Sequence, residues 1–248
     1  MRDRLSFLRA LLITDVLIVL FTIVYGAVSV AVSFFDPSGR RQMAVARAWG
    51  RALCRISGVR IRTQGFEKIT PGRQYIFTPN HLSYMDTPVM LACLPVDFRF
   101  MAKAGLFRIP FLGSHLQRAG HVPVPLEDPR ASIKALAHAA KIINEKNISL
   151  LIFPEGGRSE HGVLQEFKDG AAFAAIKGGI PIVPMALCGT RDILAMHSLH
   201  VRGGTVLVRM GDLIETAGLK SQDRTAVTDR IRSQIASLLG STQAEANV

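Results

Sequence analysis

The sequence predicts an α/β fold: a single domain with a mostly parallel central sheet flanked by helices, preceded by an N-terminal hydrophobic membrane helix or helical hairpin. Three observations support this prediction. The length of 248 residues suits one sizeable core. Apolar runs alternate with helical patterns beyond residue 58, and one long uncharged run lies near the N-terminus. We therefore divide the chain into a membrane-anchoring, basic segment at 1–57 and a globular domain at 58–248.

The N-terminal apolar run is long enough to cross a bilayer. From Val16 to Phe35 it has twenty residues without a charge, and a helix rising about 1.5 Å per residue then spans the hydrocarbon core. The run exceeds the roughly 7 to 15 residues of a signal-peptide core, and no small-residue cleavage site follows it. Arg9 and Asp15 interrupt the pattern before the run, so residues 5–35 could instead form a helical hairpin that dips into one leaflet. The sequence leaves both arrangements open.

Basic residues are concentrated beside this run. The formal net charge is +11, and residues 1–70 hold eleven Lys and Arg against four Asp and Glu. The expected partner is an anionic bilayer surface and not nucleic acid, because no nucleic-acid-binding motif is present. Three arginines precede the run, Arg2, Arg4 and Arg9, and a larger number follow it. Because positively charged flanks stay in the cytoplasm, the globular domain is expected on the cytoplasmic side of an inner or cytoplasmic membrane. The arginines that follow are Arg40, Arg41, Arg47, Arg51 and Arg55.

Seven short apolar runs predict the strands of the sheet. They lie at 59–63, 75–78, 98–102, 121–125, 148–153, 181–187 and 205–210. Helical patterns separate several of them, near 84–94, 130–146, 167–178 and 222–239. Strands separated by helices of this size are typical of a parallel sheet.

Polar motifs follow two of these strands directly. PNHLSYMD (79–86) follows the run at 75–78, and PEGGRSEHG (154–162) follows the run at 148–153. Ligands of open α/β sheets bind beyond the carboxyl ends of the strands, so the two motifs are expected to form one site. No metal is expected, because the seven histidines and three cysteines form no H-E-x-x-H or C-x-x-C pattern. No cofactor is expected either, because neither the dinucleotide-binding nor the P-loop glycine pattern occurs.

The first motif contains His81 and, five residues later, Asp86. On one helix these side chains would lie about 140° apart, so they can meet only if His81 precedes the helix. Ser83 followed by Asp86 resembles a capping box, which predicts a helix that begins at Tyr84. Asp86 then has two possible roles: a helix cap alone, or a partner that accepts the Nδ1 proton of His81 so that Nε2 can serve as a general base.

The second motif predicts an anion-binding turn. Pro154 ends the strand, Gly156 and Gly157 permit unusual backbone angles, and Arg158 offers a planar five-donor fork suited to phosphate. The alternative is a surface turn in which Glu155 and Arg158 are merely solvated. The position after an apolar strand, beside the His81 motif, favours the anion site.

Four ordered blocks of this sequence resemble the glycerolipid acyltransferase family. NHLSYMD and FPEGGRS match its N-H-x4-D and F-P-E-G-x-R-S signatures, while KAGLFRIPFLGSHLQRAGHVPVP (103–125) and GIPIVPMAL (179–187) match the second and fourth blocks. The resemblance covers roughly 58–215 and makes 58–248 the expected catalytic domain. It implies acyl transfer from acyl-CoA or acyl-carrier protein, as substrate and not as cofactor, to the hydroxyl of a lysophospholipid.

The resemblance also implies roles for individual residues. His81 would deprotonate the acceptor hydroxyl, and Asp86 would orient His81. Arg158, with Glu155 and Gly156, would hold the polar end of the acceptor. Lys103, which opens the second block, is a further candidate for phosphate contact, although a solvated strand end would also explain it.

One departure from the family pattern bears on the acceptor. Where the family commonly has an arginine after the second-block strand, this sequence has Leu126, with Arg130 four residues later. The expected product is phosphatidic acid made from 1-acyl-sn-glycerol 3-phosphate. Another lyso-lipid acceptor, such as a lyso-ornithine lipid, remains an alternative, and a non-catalytic module that binds anionic lipid is a more distant one.

Overall fold

The computed structural model describes residues 7–246, with side chains described as far as residue 240. Arg2 and Arg4, on which part of the orientation prediction depends, lie outside these residues. Seven strands form one sheet, in the order β1-β7-β6-β2-β5-β3-β4. The strands are β1 (Val59–Gln64), β2 (Ile76–Pro79), β3 (Phe98–Lys103), β4 (Val122–Val124), β5 (Ser149–Leu151), β6 (Ile182–Cys188) and β7 (Gly204–Met210).

The prediction of a mostly parallel sheet is confirmed. Every neighbouring pair of strands runs parallel except β6 and β7, which are antiparallel. All seven predicted runs form strands within two residues of the expected limits. The helices are α1 (Phe7–Ser33), α2 (Arg40–Ile56), α3 (Asp86–Cys93), α4 (Leu112–Arg118), α5 (Pro129–Lys146), α6 (Gly170–Gly178), α7 (Thr190–Ile193) and α8 (Arg224–Ala246).

Successive side chains of the central strands fill cores on opposite faces of the sheet. On β2, Phe77 packs with residues of α2 and α3, whereas Ile76 packs with residues of α5, α6 and α8. On β5, Leu151 belongs to the same core as Phe77, and Leu150 belongs to the same core as Ile76. This follows from the two-residue period of a strand, and it explains why strands buried on both faces read as continuous apolar runs.

The N-terminal apolar segment forms the long helix α1. The helix is continuous from Phe7 to Ser33, including a π-helical stretch at Ala10–Thr14, so these residues do not fold back within one leaflet as the hairpin alternative required. It is long and apolar enough to cross a membrane, and most of its surface is exposed. Packing against α2 includes a hydrogen bond of 3.0 Å that Trp49 Nε1 donates to Thr22 Oγ1.

Polar contacts attach the second half of α1 to α4. Ser29 Oγ lies 2.6 Å from His115 Nδ1 within hydrogen-bonding distance, and Arg118 donates to Ser33 Oγ at 3.1 Å. The Arg118 guanidinium also lies 4.6 Å from the centre of the Phe34 ring. These contacts join the apolar helix to the edge of the α/β domain formed by β3 and β4.

Acidification is expected to destabilise this junction. Burial, with a smaller effect of Arg99, lowers the pKa of His115 from 6.5 to about 4. The unfolded chain therefore takes up a proton near pH 6.5 that the folded chain accepts only near pH 4, so stability is lost as the pH falls through this window. At about 1.4 kcal/mol per pKa unit the loss from His115 is about 3 kcal/mol at pH 4.

Thermal unfolding of the detergent-solubilised chain between pH 7.5 and 4 tests this expectation. His115→Gln can keep a hydrogen bond to Ser29 without titrating, so its melting temperature should fall less steeply with acid than that of the wild type. The exposed His138 provides a control, since His138→Gln should retain the wild-type slope. An unchanged slope in His115→Gln would contradict the assignment to His115.

Candidate active site

The sheet brings the two polar motifs together. β2 and β5 are parallel neighbours, with Ile76 opposite Leu150 and Phe77 opposite Leu151. Their carboxyl ends therefore meet at one edge, which we call the site edge. There the two loops are joined by hydrogen bonds from the Ser159 N–H to the His81 carbonyl at 2.9 Å and from the His81 N–H to Glu155 Oε1 at 2.6 Å.

His81 and Asp86 form a buried pair. His81 Nδ1 lies 2.7 Å from Asp86 Oδ2, Asp86 is fully buried, and His81 is 9% exposed. Because a carboxylate can only accept, this contact places the ring proton on Nδ1 and leaves Nε2 to exchange a proton with a substrate. The sequence analysis left open whether Asp86 contacts His81 or only caps the helix, and the structure contains the contact.

The helix beside this pair begins later than predicted. Its first regular residue is Asp86 and not Tyr84. Asp86 Oδ2 accepts from the N–H groups of both Leu82 and Ser83, at 2.7 and 2.9 Å, and Ser83 Oγ accepts from the Met85 N–H at 3.0 Å. These bonds hold residues 82–85 in a tight turn before the helix. The same carboxylate thus organises the helix start and contacts His81, so the two roles are not alternatives.

Two neighbours fix His81 that the sequence analysis did not identify. The Phe153 ring stacks on the imidazole, with centroids 3.8 Å apart and planes 14° apart. The Asn80 side chain accepts from the Leu187 N–H at 2.7 Å and donates to the Leu187 carbonyl at 3.2 Å, which fastens the loop to β6. Asn80 and Phe153 both lie within the two motifs that resemble the family signatures, and that membership is the sequence signal that could have identified them.

Both carboxylate oxygens of Glu155 accept hydrogen bonds from other residues of the protein. One oxygen accepts from the His81 N–H, and the other accepts from the backbone and side-chain N–H groups of Gln165 at 3.0 and 3.2 Å. The residue is only 6% exposed, and burial raises the pKa of its carboxyl group although these hydrogen bonds oppose the shift. Its contacts are those of a brace between the loops. Gln165 was not predicted, and nothing in the sequence marks it.

Arg158 has a guanidinium group with unused hydrogen-bonding capacity. The group lies 4.1 Å from the centre of the Tyr84 ring, and its buried Nε has no hydrogen-bond partner among the described residues. Burial lowers the pKa of Arg158, while Tyr84 and Asp86 act in the opposite direction. A half-buried cation beside the His81 pair, with a donor left over, is suited to an anionic ligand.

Gly156 allows the second loop to turn beside Lys168. Its φ of +73° lies in the left-handed region, and a Cβ there would come within 3.1 Å of Lys168 Cε and Nζ. A side chain at this position is therefore disfavoured both by the backbone and by the neighbouring lysine. The arrangement keeps the lysine ammonium close to the turn that carries Arg158.

Lys103 lies at the end of β3 and is paired with an acid. Its Nζ is 2.7 Å from Glu127 Oε1, and both side chains are largely exposed. The hydrogen bond from Lys103 and the nearby charge of Lys168 lower the pKa of Glu127. Leu126 is half-buried, and Arg130 is exposed in the first turn of α5. Among the predicted residues the structure thus groups His81, Asp86, Glu155, Gly156 and Arg158 most closely.

The fold and the two loops agree with one sequence family. A model named Acyltransferase matches residues 60–188, slightly more than half of the chain. The chain belongs to the acyltransferase family. Within residues 7–240, no group of three or more His, Cys, Asp or Glu side chains is arranged to hold a metal ion.

Curated members of the acyltransferase family share up to about a third of the aligned residues. A 1-acyl-sn-glycerol-3-phosphate acyltransferase of Limnanthes douglasii is 36% identical over 62% of this chain and 54% of its own length. LPAT1, a chloroplastic enzyme of Arabidopsis thaliana, is 33% identical over 67% and 47%, and the Borreliella burgdorferi enzyme is 30% identical over 73% and 72%. The chain thus spans about half the length of the plant relatives.

A solved structure in the acyltransferase family has the same fold. The LPA acyltransferase PlsC from Thermotoga maritima superposes with a TM-score of 0.77, covering 96% of this chain and 98% of that one, at 22% sequence identity. The match includes nearly the whole chain, so it extends beyond the region that the family model covers.

Proposed function

We propose that this protein is a membrane-bound O-acyltransferase. It transfers a fatty acyl group from acyl-CoA or acyl-carrier protein to the free hydroxyl of 1-acyl-sn-glycerol 3-phosphate, giving phosphatidic acid in phospholipid biosynthesis. The observation on which the proposal depends is the buried 2.7 Å contact between His81 and Asp86 at the site edge, beside Arg158. The activity for which the relatives are named supports the choice of acceptor.

The reaction requires a base but no protein nucleophile. His81 Nε2 takes the proton of the acceptor hydroxyl as its oxygen attacks the thioester carbonyl, and Asp86 stabilises the imidazolium that forms. The tetrahedral intermediate then expels the thiolate, which receives the proton from His81. Burial raises the pKa of Cys54 to about 11 and that of Cys93 to about 12. These thiols are poor nucleophiles, which favours direct transfer over an acyl-enzyme at either residue.

Arg158 is the main contact for the acceptor phosphate in this proposal. Its free donor lies near the catalytic pair, and bidentate pairing of guanidinium with phosphate also fixes orientation. Glu155 acts through the bonds that hold the His81 loop, and Gly156 permits the turn. Lys103 can join the phosphate contacts if Glu127 releases it. Positioning and charge stabilisation by these groups supply the part of the rate enhancement that the base does not.

The location follows from the charge pattern. Residues 1–57 anchor the chain, and the catalytic domain at 58–248 lies on the cytoplasmic side of an inner or cytoplasmic membrane. Exposed arginines at the start of α2, Arg40 and Arg41, suit anionic headgroups. Acyl donor, lysophospholipid and bilayer are then the partners of the protein, without nucleic acid or a cofactor.

A second acceptor is favoured by the residues around Leu126. Leu126 stands where the family commonly has an arginine, Arg130 is exposed on α5, and Lys103 is already paired with Glu127. The site thus has fewer unpaired cations near Leu126 than the family pattern provides, which would suit an acceptor without a phosphate monoester, such as a lyso-ornithine lipid.

An assay of the purified full-length chain against a panel of donors and acceptors tests both proposals. Acyl-CoA and acyl-carrier protein thioesters are each combined with lysophosphatidate, other lysophospholipids and lyso-ornithine lipid. Transfer to lysophosphatidate is expected to be fastest. Transfer only to another lyso-lipid would overturn the acceptor assignment, and no transfer with any pair would favour a lipid-binding module.

Replacement of Tyr84 by leucine is expected to weaken acceptor binding without removing catalysis. The Tyr84 ring supports the Arg158 guanidinium, and a contact of this kind contributes about 0.5 to 2 kcal/mol. The KM for lysophosphatidate should therefore rise about 2- to 30-fold while kcat changes little. Tyr84→Phe, which keeps the ring face, serves as the control and should behave like the wild type. A fall in kcat at unchanged KM would contradict a role in binding.

A further inference from the structure

Exposed apolar side chains are clustered between β3 and α4. We call residues 106–112 the apolar corner. Phe111 is 73% exposed and Ile109 is 46% exposed, and Leu112 and Leu106 are 41% and 38% exposed. Phe111 adopts a φ of +63°, which is rare for a bulky residue, and this backbone presents its ring outward. Four large apolar side chains on one short surface segment indicate a surface that another apolar phase covers.

The apolar corner lies at the site edge. β3 is parallel to β5, so Lys103 and the residues that follow it emerge at the same edge as the Arg158 loop. Val124 of β4, opposite Lys103, ends at that edge as well. The corner is therefore on the side of the molecule from which a substrate reaches His81.

The apolar helix α1 lies beside the corner. Ser29 meets His115 and Ser33 meets Arg118, so α1 and α4 run in the same direction. Since α4 starts at Leu112, the part of α1 before Ser29 extends from the junction on the side of the apolar corner. That part carries exposed Val16, Val19, Leu20, Ile23 and Val24.

The charges around the corner also fit a bilayer surface. Arg108 is exposed within it, and Arg118 is exposed at the end of α4 against Phe34. Apolar side chains bordered by arginine are the pattern of a segment that lies at the boundary between headgroups and acyl chains. A second copy of the chain would bring these arginines together unless its own acids met them, so a lipid surface fits better.

We propose that the apolar corner inserts into the bilayer interface as a second membrane contact beside α1. The site edge is thereby held against the leaflet, so a lysolipid acceptor reaches Arg158 with its acyl chain still in the membrane. The route of the acceptor rests on the proposed function, whereas insertion of the corner does not.

Tryptophan quenching tests the insertion directly. Trp49 is the only tryptophan in the sequence, so Trp49→Phe provides a background into which Phe111→Trp or Ile109→Trp is introduced. The full-length chain is reconstituted into phosphatidylcholine and phosphatidylglycerol vesicles with bromines at shallow acyl positions. Ser237→Trp is the control, because Ser237 is exposed on α8, across the sheet from α2 and α3.

Strong bromolipid quenching of the Phe111→Trp and Ile109→Trp variants, at least threefold above Ser237→Trp, is the expected result. Quenching equal to the control would overturn the proposal. Protection from quenching that appears only at high protein concentration would assign the corner to a second copy and would overturn it as well. These readouts do not need activity, so they stand if the proposed reaction fails.

The acceptor route has its own test in the double variant Phe111→Ser with Ile109→Ser. Vesicle binding through α1 should persist, while transfer to a long-chain acceptor embedded in vesicles falls about tenfold. Transfer to a short-chain acceptor dissolved in detergent should be unchanged, which also shows that the variant is folded. An equal loss with both acceptors, or no loss with either, would overturn the route.

Discussion

Replacing His81 by alanine is expected to lower kcat/KM for acyl transfer by about 10² to 10⁴, the range that a well-placed general base contributes. The imidazole is stacked on Phe153 and bonded to Asp86, so its Nε2 has a fixed direction at the site edge. The other contact between a histidine and a carboxylate of these loops, from His197 Nε2 to Glu160 Oε1 at 3.9 Å, lies in solvent, with both side chains largely exposed. Initial rates with the best donor and acceptor from the panel measure the effect.

The His81→Ala variant should otherwise resemble the wild type. Its binding to vesicles depends on α1 and the basic residues of α2 and should not change, and its melting temperature should fall only modestly. Activity within threefold of the wild type would show that the pair is a structural cap. Loss of vesicle binding in parallel with activity would instead indicate a damaged fold.

Asp86→Asn is expected to reduce kcat by about 10² to 10³, with a smaller change in KM. Asp86 Oδ2 receives three N–H groups, from the His81 ring and from the backbone of Leu82 and Ser83. The asparagine keeps the shape but loses the charge that stabilises the imidazolium, and it can present its amino group to the ring and select the wrong tautomer. Leaving one buried N–H without an acceptor should also cost about 1 to 3 kcal/mol of folding free energy.

A pH–rate profile separates the catalytic effect from the structural one. If Asp86 supports the base, the acid limb of the profile should shift to lower pH in Asp86→Asn, because a neutral partner stabilises the imidazolium less. Asp212→Asn is a matched control, since Asp212 is an exposed carboxylate that pairs with Lys68. It should leave kcat and the profile unchanged. A lower melting temperature without any change in the acid limb would leave Asp86 only a structural role.

Most elements of the fold were accessible from local pattern. The central strands β2, β5 and β6 are buried almost throughout, and β1 alternates apolar with polar residues, so the strands could be located by composition. The helices α5 and α8 have helical patterns of adequate length. The short helix α4 was not predicted, because a seven-residue helix at the domain edge shows little periodicity. The antiparallel pairing of β6 with β7 depends on contacts between distant segments and was not predicted either.

In the candidate active site, too, some contacts could be predicted from the sequence and others could not. The spacing of His81 and Asp86 required only that His81 precede the helix if the two were to meet, and the resemblance to the acyltransferase family implied that they do. The brace formed by Glu155 and Gln165 joins residues ten positions apart across an irregular loop, which no periodic pattern describes. The pairing of Lys103 with Glu127 likewise depends on how β3 and β4 end side by side.

The sequence by itself determined the family, the parallel sheet, the apolar N-terminal helix and the two loops that carry the polar residues. These follow from local periods and from motifs whose residues are close in the chain. Only the tertiary structure decided which residues support the pair, that Arg158 rests on Tyr84 with a donor unused, and that the apolar corner shares its edge with the site. Such facts depend on the register of strands distant in sequence and on which loops this register brings together, and local pattern carries no information about either.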